Sequence, residues 1–200
     1  MHAIRIAFYL TGLLILSFGV TLTIKSDLGA GPWDALNVGL STTIGLTVGS
    51  WVIIVGLILI VINALLLQEK PDVFAIFTIL IVGGLIDFWL LYVLNQFDPT
   101  GLLFKIIVLM LGLIFLSLGI AIYLQAKYPL IPIDRFMLAI QHRLKVNLMV
   151  AKTIAEITAL ILALLFKGPI GIGTIIIALS VGPLVQLFFP PLERLRKKWS

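Results

Sequence analysis

Six long apolar runs divide the chain: roughly Ile6–Ile24, Val48–Leu67, Val73–Leu94, Ile106–Leu124, Leu148–Phe166 and Ile170–Phe189. Each approaches the ~20 residues that carry an α-helix, rising about 1.5 Å per residue, across a ~30 Å hydrocarbon core. The pattern predicts six transmembrane helices. The polar segments between them leave no room for a soluble domain, so a single polytopic membrane domain is expected. The first run is longer than a signal-peptide core and no A-x-A-like site follows it, which predicts a retained helix.

Two polar segments interrupt this pattern. "KSDLGAGPWDALN" at 25–37 follows the first run, and "AKYPLIPIDRFMLAIQHRLK" at 126–145 follows the fourth. Their places reflect a repeat. At an offset of 100 residues, "GLLILSFG" (Gly12–Gly19) aligns with "GLIFLSLG" (Gly112–Gly119), Pro32 falls on Pro132 and Asp34 on Asp134. At an offset of 99, "VGGL" (Val82–Leu85) meets "VGPL" (Val181–Leu184) and Asp87 meets Gln186.

The expected fold is thus an all-α membrane protein made of two three-helix repeats, at about 5–95 and about 102–190, followed by a basic tail at 191–200. Each repeat has a short helix after its first transmembrane helix. Three crossings per repeat make the second copy enter from the opposite side. This inverted topology is common among secondary transporters. The plainer alternative is a duplication that made a stable six-helix bundle.

In both polar segments a proline suits the first helical turn, and an aspartate two residues later meets the positive end of the helix dipole. Gly29 and Gly31 permit the sharp turns that precede the first short helix. Two roles stay open for Asp34 and Asp134. Each either stabilises a helix start, or lines a cavity into which the loop folds back, because non-helical backbone at membrane depth must be covered by protein or water. In the second short helix, Ile133, Phe136, Met137, Ile140 and Leu144 oppose Asp134, Gln141 and Lys145, an amphipathic pattern suited to the interface.

Polar residues inside the apolar runs carry a cost of roughly 2.5–3.5 kcal/mol for a central Asp or Lys, so they usually face the interior and pair. Asn63, Asp87, Lys152 and Glu156 are of this kind. Lys152 and Glu156, at i and i+4, can neutralise one another, which alone would orient their helix inward. Asp87 has no partner on its own helix. It is a candidate for proton or cation coupling, with a purely hydrogen-bonding role as the alternative, and Gln186 marks the matching level of the second repeat. Gly45, Gly49 and Gly56 predict close helix packing, and Gly83–Gly84 and Gly182–Pro183 a close crossing and a kink.

Composition agrees with the pattern: 61% of residues are hydrophobic and 12% charged, against about 25% charged in soluble proteins. The net charge of +5 does not point to nucleic acid, because its distribution follows the membrane. With the N-terminus inside, inner segments hold ten Lys and Arg residues, including Arg135, Arg143 and the tail, and outer segments hold three, Lys25, Lys105 and Lys167. The positive-inside rule then places both termini in the cytoplasm. Arg194, Arg196, Lys197 and Lys198 suit an anionic leaflet. The chain has no cysteine and only His2 and His142 as histidines. It shows no H-E-x-x-H, phosphate loop or serine elbow, so no enzyme activity, metal site or cofactor is expected.

The sequence resembles the YczE/YyaS/YitT-type family of bacterial integral membrane proteins, closest to its YczE branch. The resemblance rests on "SDLGAGPWDALNVGLS", "GLTVGSWVIIVGLIL" and "VGGLIDF" in the first half, and on "IDRFMLAI", "KTIAEI" and "GPIGIGTIIIALSVGPLVQ" in the second. It implies a six-helix protein of the bacterial cytoplasmic (inner) membrane. Its recurring polar positions fall on Asp27, Pro32, Asp34, Asp87, Asp134, Arg143, Lys152, Glu156 and Gln186. Similar proteins often keep glycines in the second loop, whereas "YPLIPID" stands here and favours an interfacial helix. The expected partners are the lipid bilayer, a small solute, and a second copy or another membrane subunit. The leading expectation is a small secondary transporter or permease-like protein, with Asp34, Asp87, Lys152, Glu156 and Gln186 along its polar path. The alternative is a non-transporting accessory, scaffold or substrate-binding subunit.

Overall fold

The computed structural model describes residues 2–199. Its helices are α1 (His2–Lys25), α2 (Pro32–Ile44), α3 (Val48–Leu67), α4 (Phe74–Phe88), α5 (Leu102–Gln125), α6 (Pro132–Leu144), α7 (Leu148–Leu165) and α8 (Ile172–Trp199), with a π-helical turn, Trp89–Val93, extending α4. Six of them, α1, α3, α4 with its π turn, α5, α7 and α8, are long and apolar enough to cross a membrane. The half-helices α2 and α6, of 13 residues each, are too short. The chain is an all-α, multi-pass membrane protein. α8 continues through the basic residues near the C-terminus, with Pro183, Pro190 and Pro191 inside the helix.

Helix starts recur at an offset of 100 residues: His2 and Leu102, Pro32 and Pro132, Val48 and Leu148. Local chemistry explains the recurrence. Thr47 caps α3 by accepting the Ser50 N–H at 3.1 Å, and Asn147 caps α7 by accepting that of Val150 at 2.9 Å. Asp27 and Lys127, each in the left-handed region at φ 55°, stop α1 and α5.

The chain divides into two compact units. The first comprises the chain up to Gly31, Leu85–Tyr128 and the chain from Pro169; the second comprises Pro32–Gly84 and Pro129–Gly168.

In the first unit α1 and α5 cross through glycine. Gly12 faces Tyr123 and Gly19 faces Leu116, while Gly112 faces Thr23 and Gly119 faces Leu16. As one helix advances the other recedes, so the pair is antiparallel. The contacts also exchange: adding 100 to one member and subtracting 100 from the other turns Gly19–Leu116 into Gly119–Leu16. A methyl at any of the four glycines would lie under 3.0 Å from facing backbone, so only glycine permits this approach. The buried hydroxyls of Ser17, Thr21, Thr23 and Ser26 donate to backbone carbonyls of their own helix at 2.7–2.9 Å.

The ends of this pair repeat the exchange. Arg5 donates to the carbonyls of Ala126 and Lys127 at 2.7 and 3.0 Å, satisfying groups left open where α5 stops. Its counterpart Lys105 pairs with Asp27, just past the end of α1. The start of α8 is tied to the loop after α1: Gly173 N–H donates to Leu28 O at 2.8 Å, and Ala30 N–H to Pro169 O at 3.0 Å.

In the second unit α2 packs on α7 and α6 on α3, so each half-helix leans on the second long helix of the other repeat. Ala151, Ala155, Ala159 and Ala163 form a buried stripe along α7. Small residues also bring α4 onto α3, with Gly56 against Ile79 and Gly83 against Gly49. Gly45 does not join this contact. It ends α2 at φ 101° with nothing within 4 Å of its would-be Cβ, so the close-packing pattern begins at Gly49.

Candidate functional site

The second unit gathers polar groups from α2, α3, α6 and α7. Proline starts both half-helices, and the next residues follow from the i, i+3, i+4 geometry of a helix. Trp33, Asp34 and Asn37 lie on neighbouring positions of α2. Trp33 meets Phe136 of α6 edge-on, with ring centroids 5.9 Å apart and planes at 89°. Asn63 of α3 donates from Nδ2 to Pro132 O at 2.9 Å. A carbonyl can only accept, so this bond fixes the Asn63 amide orientation and turns Oδ1 away from Pro132.

Several of these groups are buried without satisfaction. Asn37 and Asn63 are each 2% exposed and Trp33 is 7% exposed. Trp33 Nε1, Asn37 Oδ1, Asn63 Oδ1 and Glu156 Oε2 lack a hydrogen-bond partner. Native interiors rarely leave such atoms unpaired without a purpose. A small cavity of about 20 Å³ lies beside Asn37 and Pro132, otherwise walled by apolar side chains that include Val55 and Ile79.

Charged groups gather in the same unit. Glu156 of α7 feels Lys152 one turn earlier and Asp134 of α6, and its own charge acts on Asp34. Asp34 retains some exposed surface, yet protein packs densely around its carboxyl. That desolvation, with the charge of Glu156 added, pushes its pKa up to about 7. Arg135 is already engaged by Asp72 at 2.5 Å and Glu69 at 3.0 Å. Among the described residues, no three His, Asp or Glu come together in a way that could hold a metal ion.

The structure therefore brings Pro32, Asp34, Pro132, Asp134, Lys152 and Glu156 into one unit. Arg143 belongs to that unit but is exposed in the last turn of α6. Asp27, Gly29, Gly31, Asp87 and Gln186 belong to the other. Asp27 is exposed and paired with Lys105. Gly29 has φ 105° and closely approaches Gly171, as its turn requires, whereas Gly31 is simply buried. Asp87 is part-exposed one residue before the last of α4, immediately ahead of the π turn. Gln186 is exposed on α8. Trp33 and Asn37 went unnoticed in the sequence, and Phe136 stood out only as part of an apolar stripe. Asn37 carried a usable signal, since it stands three residues after Asp34 on a short helix.

A family model described as a family of unknown function (DUF6198) matches residues 3–190. The chain is 45% identical over 187 residues to the uncharacterized protein YyaS of Bacillus subtilis, covering 94% of this chain and 93% of that one. It is 35% identical over 188 residues to the uncharacterized membrane protein YczE of the same organism, covering 94% and 86%. An uncharacterized protein of Haemophilus influenzae is 28% identical over 192 residues, covering 95% and 85%. No solved structure matches significantly. With its six apolar helices and near-full-length likeness to both Bacillus proteins, the chain belongs to the DUF6198 family, the group that includes YyaS and YczE.

Proposed function

We propose that this protein is a small, non-enzymatic secondary transporter or permease-like protein of the bacterial cytoplasmic membrane, with both termini in the cytoplasm, built as an inverted-topology repeat. One observation carries the functional reading: four buried polar atoms on α2, α3 and α7 lack partners within a single unit that also holds Asp34 and Asp134. A bundle evolved only for stability gains nothing from such atoms, whereas a solute site needs them. Two half-helices starting with Pro-x-Asp offer the positive ends and irregular backbone that transporter sites use. The exchanged contacts of antiparallel α1 and α5 are what a two-fold axis in the membrane plane would generate, which supports the inverted repeat.

The test is sided access. In this cysteine-free chain, Asp34→Cys and Asp134→Cys proteins in membrane vesicles are exposed to an impermeant thiol reagent from each side. Transport predicts that Asp34→Cys is protected, or that its access changes sides with pH or solute. Labelling of both positions strictly from their own sides, whatever the conditions, would refute it. The accessory reading draws support from α8, the least buried of the six apolar helices, which could dock a second copy or another subunit. Stoichiometric co-purification of a distinct membrane protein would favour it.

A further inference from the structure

We infer that α6 is the mobile half-helix of the second unit, latched shut by Arg135 on Asp72 and Glu69, while α2 is fixed in place by backbone contact. The inference goes beyond the transporter reading and does not need it, because it names only which half-helix moves and what holds it.

The two half-helices meet the ends of their long neighbours at matching positions. Gln68 after α3 and Lys167 after α7 both take the left-handed region, at φ 57° and 55°. The next N–H turns back on its helix in each case, Glu69 to Ala64 O at 3.1 Å and Gly168 to Ala163 O at 2.7 Å. These residues correspond at the offset of 99. Glu69 therefore stands where Gly168 does, and at the offset of 100 Arg135 stands where Ala35 does.

The same pair of positions makes opposite kinds of contact. A Cβ at Gly168 would lie 2.2 Å from Ala35 O, and one at Gly39 would lie 2.7 Å from Phe166 O. The buried start of α2 thus rests backbone on backbone against the end of α7, an approach that only small residues allow. Around α6, Ala139 replaces Gly39, and the matching contact is made by side chains. The Arg135 guanidinium donates to Asp72 at 2.5 Å and to Glu69 at 3.0 Å. The other Asp72 oxygen accepts the Ala75 N–H at 3.3 Å, so one arginine ties α6 both to the end of α3 and to the start of α4. The side chains of Arg135, Asp72 and Glu69 keep 28%, 16% and 59% of their surface exposed. Ion pairs within reach of water are weak, which makes this hold a reversible one. Asn63 keeps the Pro132 carbonyl at 2.9 Å, so the first residue of α6 stays anchored while its body is released.

The experiment is hydrogen–deuterium exchange, read by mass spectrometry on the purified full-length protein in detergent. It compares amide protection over 132–144 with that over 32–44. Lower protection of α6 is expected in the parent. Arg135→Gln should lower it further by a factor of roughly three, the scale of a partly exposed ion pair, and leave both 32–44 and the melting temperature unchanged. Glu69→Gln, which removes one arm of the latch, should act in the same direction and less. Equal protection of the two half-helices in the parent, or no effect of Arg135→Gln, would overturn the inference. So would faster exchange shared by 32–44 with a fall in melting temperature, which would make the ion pairs structural. Selective loosening of 132–144 without side-switching at position 34 would leave the latch standing and refute transport. Side-switching with an equally protected α6 would do the reverse.

Discussion

The two units are assembled by the same exchange of repeats yet have opposite interiors. In the first, glycine lets helix backbones touch, and the hydroxyls of Ser17, Thr21, Thr23 and Ser26 are satisfied within their own helix. In the second, short helices replace a long crossing, and Trp33, Asn37, Asn63 and Glu156 keep unpaired atoms inside. The first unit has exceptions too, among them the unpaired Ser117 hydroxyl and Arg196 Nε. The contrast teaches that segments matching at an offset of 100 residues can build a close glycine seam where α1 and α5 meet and leave under-satisfied polar groups where α2 and α6 pack.

The largest expected effect lies in the rigid seam. Gly19→Leu forces a side chain against the Leu116 backbone, and overpacking of this kind costs typically about 1–3 kcal/mol and more where backbone cannot move. Loss of a monodisperse peak in detergent size-exclusion chromatography is expected. Gly84→Leu, with nothing within 4 Å of its would-be Cβ, should leave the peak intact. Equal behaviour of the two variants would dissolve the contrast.

Next comes Asp34→Asn. The folded pKa of about 7 stands above the ordinary 3.8. Between these values the folded state holds a proton that the unfolded state has released, so stability falls as pH rises through this window. Asparagine removes that dependence. The variant should melt higher than the parent at pH 8 and near it at pH 4, and a lower melting temperature at pH 8 would show that the carboxylate stabilises the fold.

Asn63→Leu should cost less. Side-chain hydrogen bonds between membrane helices average about 0.6 kcal/mol, and leucine also removes the unpaired Oδ1. A melting temperature within a few degrees of the parent is expected, and collapse of the fold would make Asn63 structural. The smallest effect belongs to Asp27→Asn, which breaks a largely exposed pair with Lys105. Such pairs are worth about 0.2–1 kcal/mol and fade with salt, so a shift near the error of a melting curve is expected.

Much of the fold was legible. Unbroken apolar runs announced the six long helices, and Pro32 and Pro132 fixed the starts of both half-helices. Nothing local told which helices would meet, because every run is apolar enough to cross a membrane whatever its neighbour. Gly12, Gly19, Gly112 and Gly119 held the strongest contact and were visible only as a sequence match. The site was half legible. Asp34, Asp134, Lys152 and Glu156 stood out because charge is costly in an apolar chain. Trp33 and Asn37 did not, because their meaning lies in missing partners.

The most direct test compares the two interiors. Asn37→Cys and Ser117→Cys each place one thiol at a site that is buried in its own unit, and both are reacted with a small permeant maleimide in membranes. If the polar interior of the second unit opens to solvent and the glycine seam of the first does not, Asn37→Cys labels readily, while Ser117→Cys stays unreactive. Equal resistance at both positions, or faster labelling at 117, would contradict the assignment of the site to the second unit.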